Sequence, residues 1–257
     1  MHVTGTMVLF WAAGLTMHCL LLVVLLTRHR VTIFPFFTTL IAMNIVNAVA
    51  LYEIAIHASK HAYFLAYFAF AIVDFLLQLS VTYELASHIF RPTGSWAPDV
   101  RNGFLILVVG SVAVAFALAC LPSPPERLLL GRLLDRGNLF SSALQCELFV
   151  GMIAFSATAN LPWKTHVARI AQGLGLYSLV GILTEAGHNV LPRNTTLYET
   201  LSYVRMATYL ICGSYWIVML WMNAPALQEL PEEMRHQLFT LQRGLAYDLR
   251  KLRALKR

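Results

Sequence analysis

The chain has 257 residues, 58% hydrophobic and 12% charged, with a formal net charge of +6 and a mean hydropathy of +0.64. Such a composition excludes a soluble globular domain and a disordered chain. The basic excess is gathered near one end rather than spread as a nucleic-acid footprint, so the expected partner is a lipid bilayer and not a nucleic acid.

Seven apolar runs succeed one another at 7–27, 33–56, 63–90, 104–121, 139–161, 167–191 and 197–222. A hydrocarbon core of about 30 Å needs about 20 helical residues, and all seven reach or approach that length. The expected fold is all-α: a seven-helix transmembrane bundle over 1–224, followed by a cytoplasmic tail over 225–257. The first run is too long for a secretory signal, and Arg28-His29-Arg30 follows it in place of a small-residue cleavage site, so it reads as a retained helix.

Basic residues sort by connection. Arg28, Arg30, Arg91, Arg101, Lys164 and Arg169 fall on one side with the basic tail, which puts the amino terminus outside and the tail in the cytoplasm. A multi-pass protein of the inner (plasma) membrane is expected. Cys19, Cys120, Cys146 and Cys212 all lie within spans and form neither a disulfide framework nor a metal knot. The longest outer loop is expected over 122–138 and an inner turn over 92–98.

The second and third spans are joined by a very short connection, so they are antiparallel neighbours. The fourth run is free of charge. It carries Gly110, Ala113 and Ala117 on one face and Ser111, Ala115 and Ala119 on another. Small residues at that spacing let helices approach closely, either within the bundle or across a homodimer.

Ionisable residues inside spans are costly and usually face the bundle interior or a wet cavity. Glu53, Asp74, Glu147, Glu185 and Arg205 lie on five different helices, all in the outer half of the membrane, with Gln78, His188 and Tyr203 on the same helices. These eight residues form the expected ligand-binding set. The always-protonated Arg205 should hold one carboxylate, Asp74 or Glu185; the remaining acids must see water or keep their protons. Glu53, His57 and His61 at the rim, and the Glu185/His188 pair, have spacings that can serve a metal. Rim histidines are common, however, and no metal is expected. His18 and His88 lie at different depths and make no haem axial pair, so no cofactor is expected either. At the inner end of the third span, Glu84 and His88 stand one turn apart and are expected to bridge locally at headgroup level.

From Pro231 the tail becomes amphipathic, with Glu232 and Glu233 at its start. Met234, Leu238, Leu241, Leu245, Leu249, Leu252 and Leu255 form an apolar stripe, and Arg250, Lys251, Arg253, Lys256 and Arg257 crowd its end. This pattern fits a helix lying on anionic lipid headgroups or pairing with a partner helix.

The topology resembles that of rhodopsins and G-protein-coupled receptors. The only lysines are Lys60, Lys164, Lys251 and Lys256, so the last span has no amine for a retinal Schiff base. A closer likeness rests on the run from Tyr83-Glu84-Leu85 through Phe90-Arg91-Pro92 and on the short tail. In these the chain is similar to bacterial seven-helix membrane proteins with no assigned activity. A small-ligand sensor, receptor-like and acting through a protein partner, is the first functional expectation. A small-solute or proton-coupled transporter built as three-plus-one-plus-three helices is the second, since Glu53 and Asp74 are matched in position by Glu185 and Arg205. A non-catalytic subunit of a membrane complex is the third. No nucleophile–base motif supports an enzyme.

Overall fold

A computed structural model describes residues 5–90, 98–120, 129–158, 166–191 and 195–223. Its elements are α1 (Gly5–Thr27), α2 (Pro35–His57), α3 (Lys60–Phe90), α4 (Pro98–Ala119), α5 (Leu129–Thr158), α6 (His166–Val190) and α7 (Thr196–Trp221), with no strand among the described residues. All seven helices belong to one unit. The tail helix expected over 225–257 lies outside the described residues, as does the turn expected over 92–98 except for Pro98, which opens α4.

Six of the seven helices are long and apolar enough to cross a membrane. Their flanks carry exposed Leu9, Leu20, Leu65, Ile106, Leu183 and Leu197. A helix that is apolar all round, with its large side chains unburied, is built for lipid. The chain is thus an all-helical, multi-pass membrane bundle. α5 falls outside the six. Its first part holds Arg132, Asp135 and Arg136, and its middle Gln145 and Glu147. It also begins at Leu129, so the loop expected over 122–138 gives way to helix in its second half. Hydropathy ends a span at its first charges, but a helix does not need an apolar environment to continue.

Consecutive helices α1, α2 and α3 pack side by side, α3 meets α5 and α6, α5 packs on α6 and α6 on α7, and α7 returns to α1; α4 packs against α5. The six helices other than α4 therefore close a ring. On α4, Ser111 and Ala115 are buried, whereas Gly110, Ala113 and Ala117 are exposed.

One half of the ring is solid. Leu21 and Leu25 of α1, Phe37 and Ile41 of α2, Leu85 of α3, Phe149 and Met152 of α5, Ile170 of α6 and Trp216 of α7 form a single core cluster. Trp216 is 1% exposed and meets Phe37 edge-on, with centroids 5.4 Å apart. The indole reaches that position because residue 173 of α6 is glycine: a Cβ there would collide with the Trp216 ring, which is rigid and cannot yield. Gly173→Val should therefore lower stability in detergent by about 1–3 kcal/mol through overpacking. Gly110→Ala, where a Cβ meets nothing, should be nearly silent. Thermal unfolding of the two variants compares them directly.

The amino end of α2 is completed from another helix. Phe34 at its N-cap offers no side-chain bond, and Pro35 at the first turn has no N–H to satisfy. The backbone N–H groups of Phe36 and Phe37 each donate to the Glu84 carboxylate of α3, both at 3.0 Å. Glu84 is accordingly 5% exposed. This corrects the expected headgroup bridge to His88, whose Nδ1 bonds instead to the Glu84 backbone carbonyl at 2.8 Å. The carboxylate is more useful to α2 than to its own helix, because free N–H groups in an apolar setting are the more costly deficit.

Candidate functional site

The other half of the ring, at the end where α1 begins, is hollow. A cavity of about 800 Å³ is lined from α1, α2, α3, α5, α6 and α7, and by no described residue of α4. Phe10, Trp11, Phe68, Phe75 and Phe140 supply apolar walls; Asn44, Asn47, Asp74, Gln78, Gln145 and Arg205 supply polar groups.

Of the eight expected site residues, Asp74, Gln78, His188 and Arg205 line this cavity. Glu185 stands directly behind. It is 5% exposed and accepts from Arg205 Nη1 in a salt bridge. Of the two carboxylates open to Arg205, the structure pairs it with Glu185. The guanidinium also lies 5.8 Å from the Tyr177 ring centroid. His188 Nε2 donates to the Tyr198 carbonyl at 3.1 Å, with Ser202 Oγ 3.2 Å away, and its ring stacks on Tyr198 with centroids 3.9 Å apart.

Three expected residues stand outside the lining. Glu147 lies beside Ser111 of α4 and is not among the residues lining the hollow. Glu53 is exposed at the rim, 3.3 Å from His57. Tyr203 stacks on Phe10 with centroids 5.8 Å apart, outside the lining itself. Among the described residues, no group of three His, Cys, Asp or Glu is placed to hold a metal.

Asp74 sits at the middle of α3 and ends a directed chain of donors. Ser178 Oγ donates to Gln145 Oε1 at 3.1 Å, Gln145 Nε2 donates to Gln78 Oε1, and Gln78 Nε2 donates to Asp74 Oδ2 at 2.5 Å. Helices α6, α5 and α3 are thereby joined, and the two amide links point toward the carboxylate, while Ser178 Oγ also reaches the Leu174 carbonyl at 2.8 Å and Gln145 Nε2 also reaches Ser141 Oγ at 3.2 Å. Buried polar chains of this kind polarise along their length and fix a single arrangement when fully paired.

A second junction was not anticipated from sequence. The Tyr209 hydroxyl of α7 is 2.6 Å from His18 Nε2 of α1 and accepts from Asn44 Nδ2 of α2 at 3.4 Å. Its ring lies 5.0 Å from that of Tyr177 on α6. Asn47 faces the same cavity with a buried Oδ1 that has no hydrogen-bond partner. Asn44 and Asn47, three apart on an apolar helix, were the signal available for this side of the pocket.

The charge balance is uneven. Arg205 is matched by Glu185, and among the described residues no cation lies within salt-bridge distance of Asp74. A half-apolar hollow with one carboxylate outside any salt bridge can accept a cation against that carboxylate and aromatic surface around it. No protein-family model, curated protein or solved structure matches the chain.

Proposed function

We propose that this membrane protein binds a small cationic or amine-bearing solute in the ring cavity and acts as a receptor-like sensor through a partner. The observation that carries the reading is Asp74: a mid-helix carboxylate at the cavity wall, fed by a hydrogen-bond chain, while Arg205, the one arginine among the described lining residues, is already bridged to Glu185. The proposal includes an amino terminus outside, a cytoplasmic amphipathic tail on anionic lipid, residence in a bacterial inner membrane, and kinship with the seven-helix proteins that share the Tyr83–Pro92 run. In that orientation the cavity occupies the outer half of the bilayer.

Cysteine labelling tests pocket, charge and sidedness together. With the four native cysteines replaced, Ala71→Cys places one thiol on the cavity wall. A cationic methanethiosulfonate applied outside intact cells should label it several-fold faster than an anionic one, and Asp74→Asn should erase that preference. Equal rates for the two reagents, or labelling only from the cytoplasmic side, would overturn the reading.

Transport is the second reading, favoured by the ring itself. α1–α3 and α5–α7 form two triplets that enclose the cavity, with α4 outside the lining. Rocking of one triplet against the other would open the site alternately. Uptake of a labelled amine into proteoliposomes separates carrier from sensor.

A further inference from the structure

At the opposite end of the bundle, where α1 and α7 end and α6 begins, positive charge gathers with no carboxylate in a salt bridge to it among the residues whose side chains are described. Arg28 places its guanidinium 4.4 Å from the centroid of the Trp221 ring. Arg169 Nη1 donates to the Met219 carbonyl at 3.3 Å, so both arginines are anchored on the last turn of α7. His166 is 4% exposed, and neither of its ring nitrogens has a hydrogen-bond partner. It interacts electrostatically with both Arg30 and Arg169. The Nε atoms of Arg28 and Arg30 are likewise buried and unpartnered.

Structural roles account for part of this. Arg28 and Arg169 suit the carboxyl end of α7, whose macrodipole carries roughly half a negative charge. Three guanidinium groups exceed that several-fold. Among the residues whose side chains the structure describes, no carboxylate lies within salt-bridge distance of any of them. Glu84, a described acid at this end, has both oxygens committed to Phe36 and Phe37. That leaves Arg30 and His166 with buried donors and nothing to donate to. The amino end of α6, which His166 opens, adds a positive dipole that favours an anion.

We propose that Arg30, His166 and Arg169 form a binding site for a phosphate group, reached at the membrane–water boundary. A phosphate offers several acceptor oxygens on one centre, which suits donors converging from two helix ends. The phosphodiester of an anionic phospholipid and free inorganic phosphate share this chemistry, and the test separates them.

The full chain, purified in detergent, is incubated with phosphatidylglycerol and phosphatidylcholine of identical acyl chains, and retained lipid is counted by native mass spectrometry. Wild type should retain phosphatidylglycerol at least about fivefold over phosphatidylcholine, the preference one basic contact supplies. Arg30→Gln should abolish the preference, Arg30→Lys should keep most of it, and Arg136→Gln at the other end of the bundle should leave it intact. Millimolar inorganic phosphate that displaces the lipid and stabilises the wild type identifies the soluble anion as a ligand; failure to displace it identifies the lipid. Equal retention of both lipids by wild type with no response to phosphate overturns the site, whether or not the variants fold. So does an equal loss in Arg136→Gln, which would mean diffuse charge and no built site.

Discussion

Arg205→Met should destabilise the protein by about 3–5 kcal/mol, the range expected when one partner of a buried ion pair is removed. Glu185 is 5% exposed, so the variant would strand its carboxylate without the cation that now holds it. Arg205→Met combined with Glu185→Gln should recover a large part of that loss, because no uncompensated charge remains. The measurement is a double-mutant cycle on thermal or denaturant unfolding in detergent. Strict additivity would mean that the two side chains do not interact and would remove the bridge from the cavity wall. The double variant has a second use. If it still shows the reagent preference at position 71, Asp74 alone sets the charge of the hollow.

Glu84→Ala should cost about 3 kcal/mol. Two bonds to a charged acceptor are lost, each contributing about 1.5–3 kcal/mol, and water reaching the half-exposed Phe36 offsets part of the sum. Glu84→Gln keeps one oxygen and should recover about half. Hydrogen exchange supplies the check that a general loss of stability does not: the amides of Phe36 and Phe37 should exchange faster in Glu84→Ala while those near Ile54 stay protected. Unchanged exchange at Phe36 and Phe37 would show that the cap is not made.

The helices were legible because a bilayer imposes a length, and apolar runs of that length stand out. The pairing of Arg205 with one of two named acids was legible for a similar reason, since depth along each helix follows from counting residues. Facing does not follow from depth. Residues two apart on a helix point about 200° from each other, so with Gln145 turned into the cavity, Glu147 must turn away, and it does so toward Ser111. The same rotation separates Tyr203 from Arg205, while Ser202 and Tyr209, three and four residues from Arg205, share its face and line the cavity. Glu84 was misread for a different reason. Its i, i+4 neighbour is visible in the sequence, whereas two orphan N–H groups on another helix are visible only once α2 and α3 are side by side.

That cap bears on how the chain enters the membrane. A single helix released into lipid must satisfy its own backbone, since the hydrocarbon offers no substitute donors or acceptors. On its own α2 cannot, because the groups that finish its first turn belong to α3. Only Ala58 and Ser59 separate the two helices at their other end. They are thus joined at one end by covalent chain and at the other by a carboxylate. For α2 the helical hairpin, rather than the single span, is the piece in which the first turn is satisfied, and α2 and α3 are expected to leave the insertion machinery as one body.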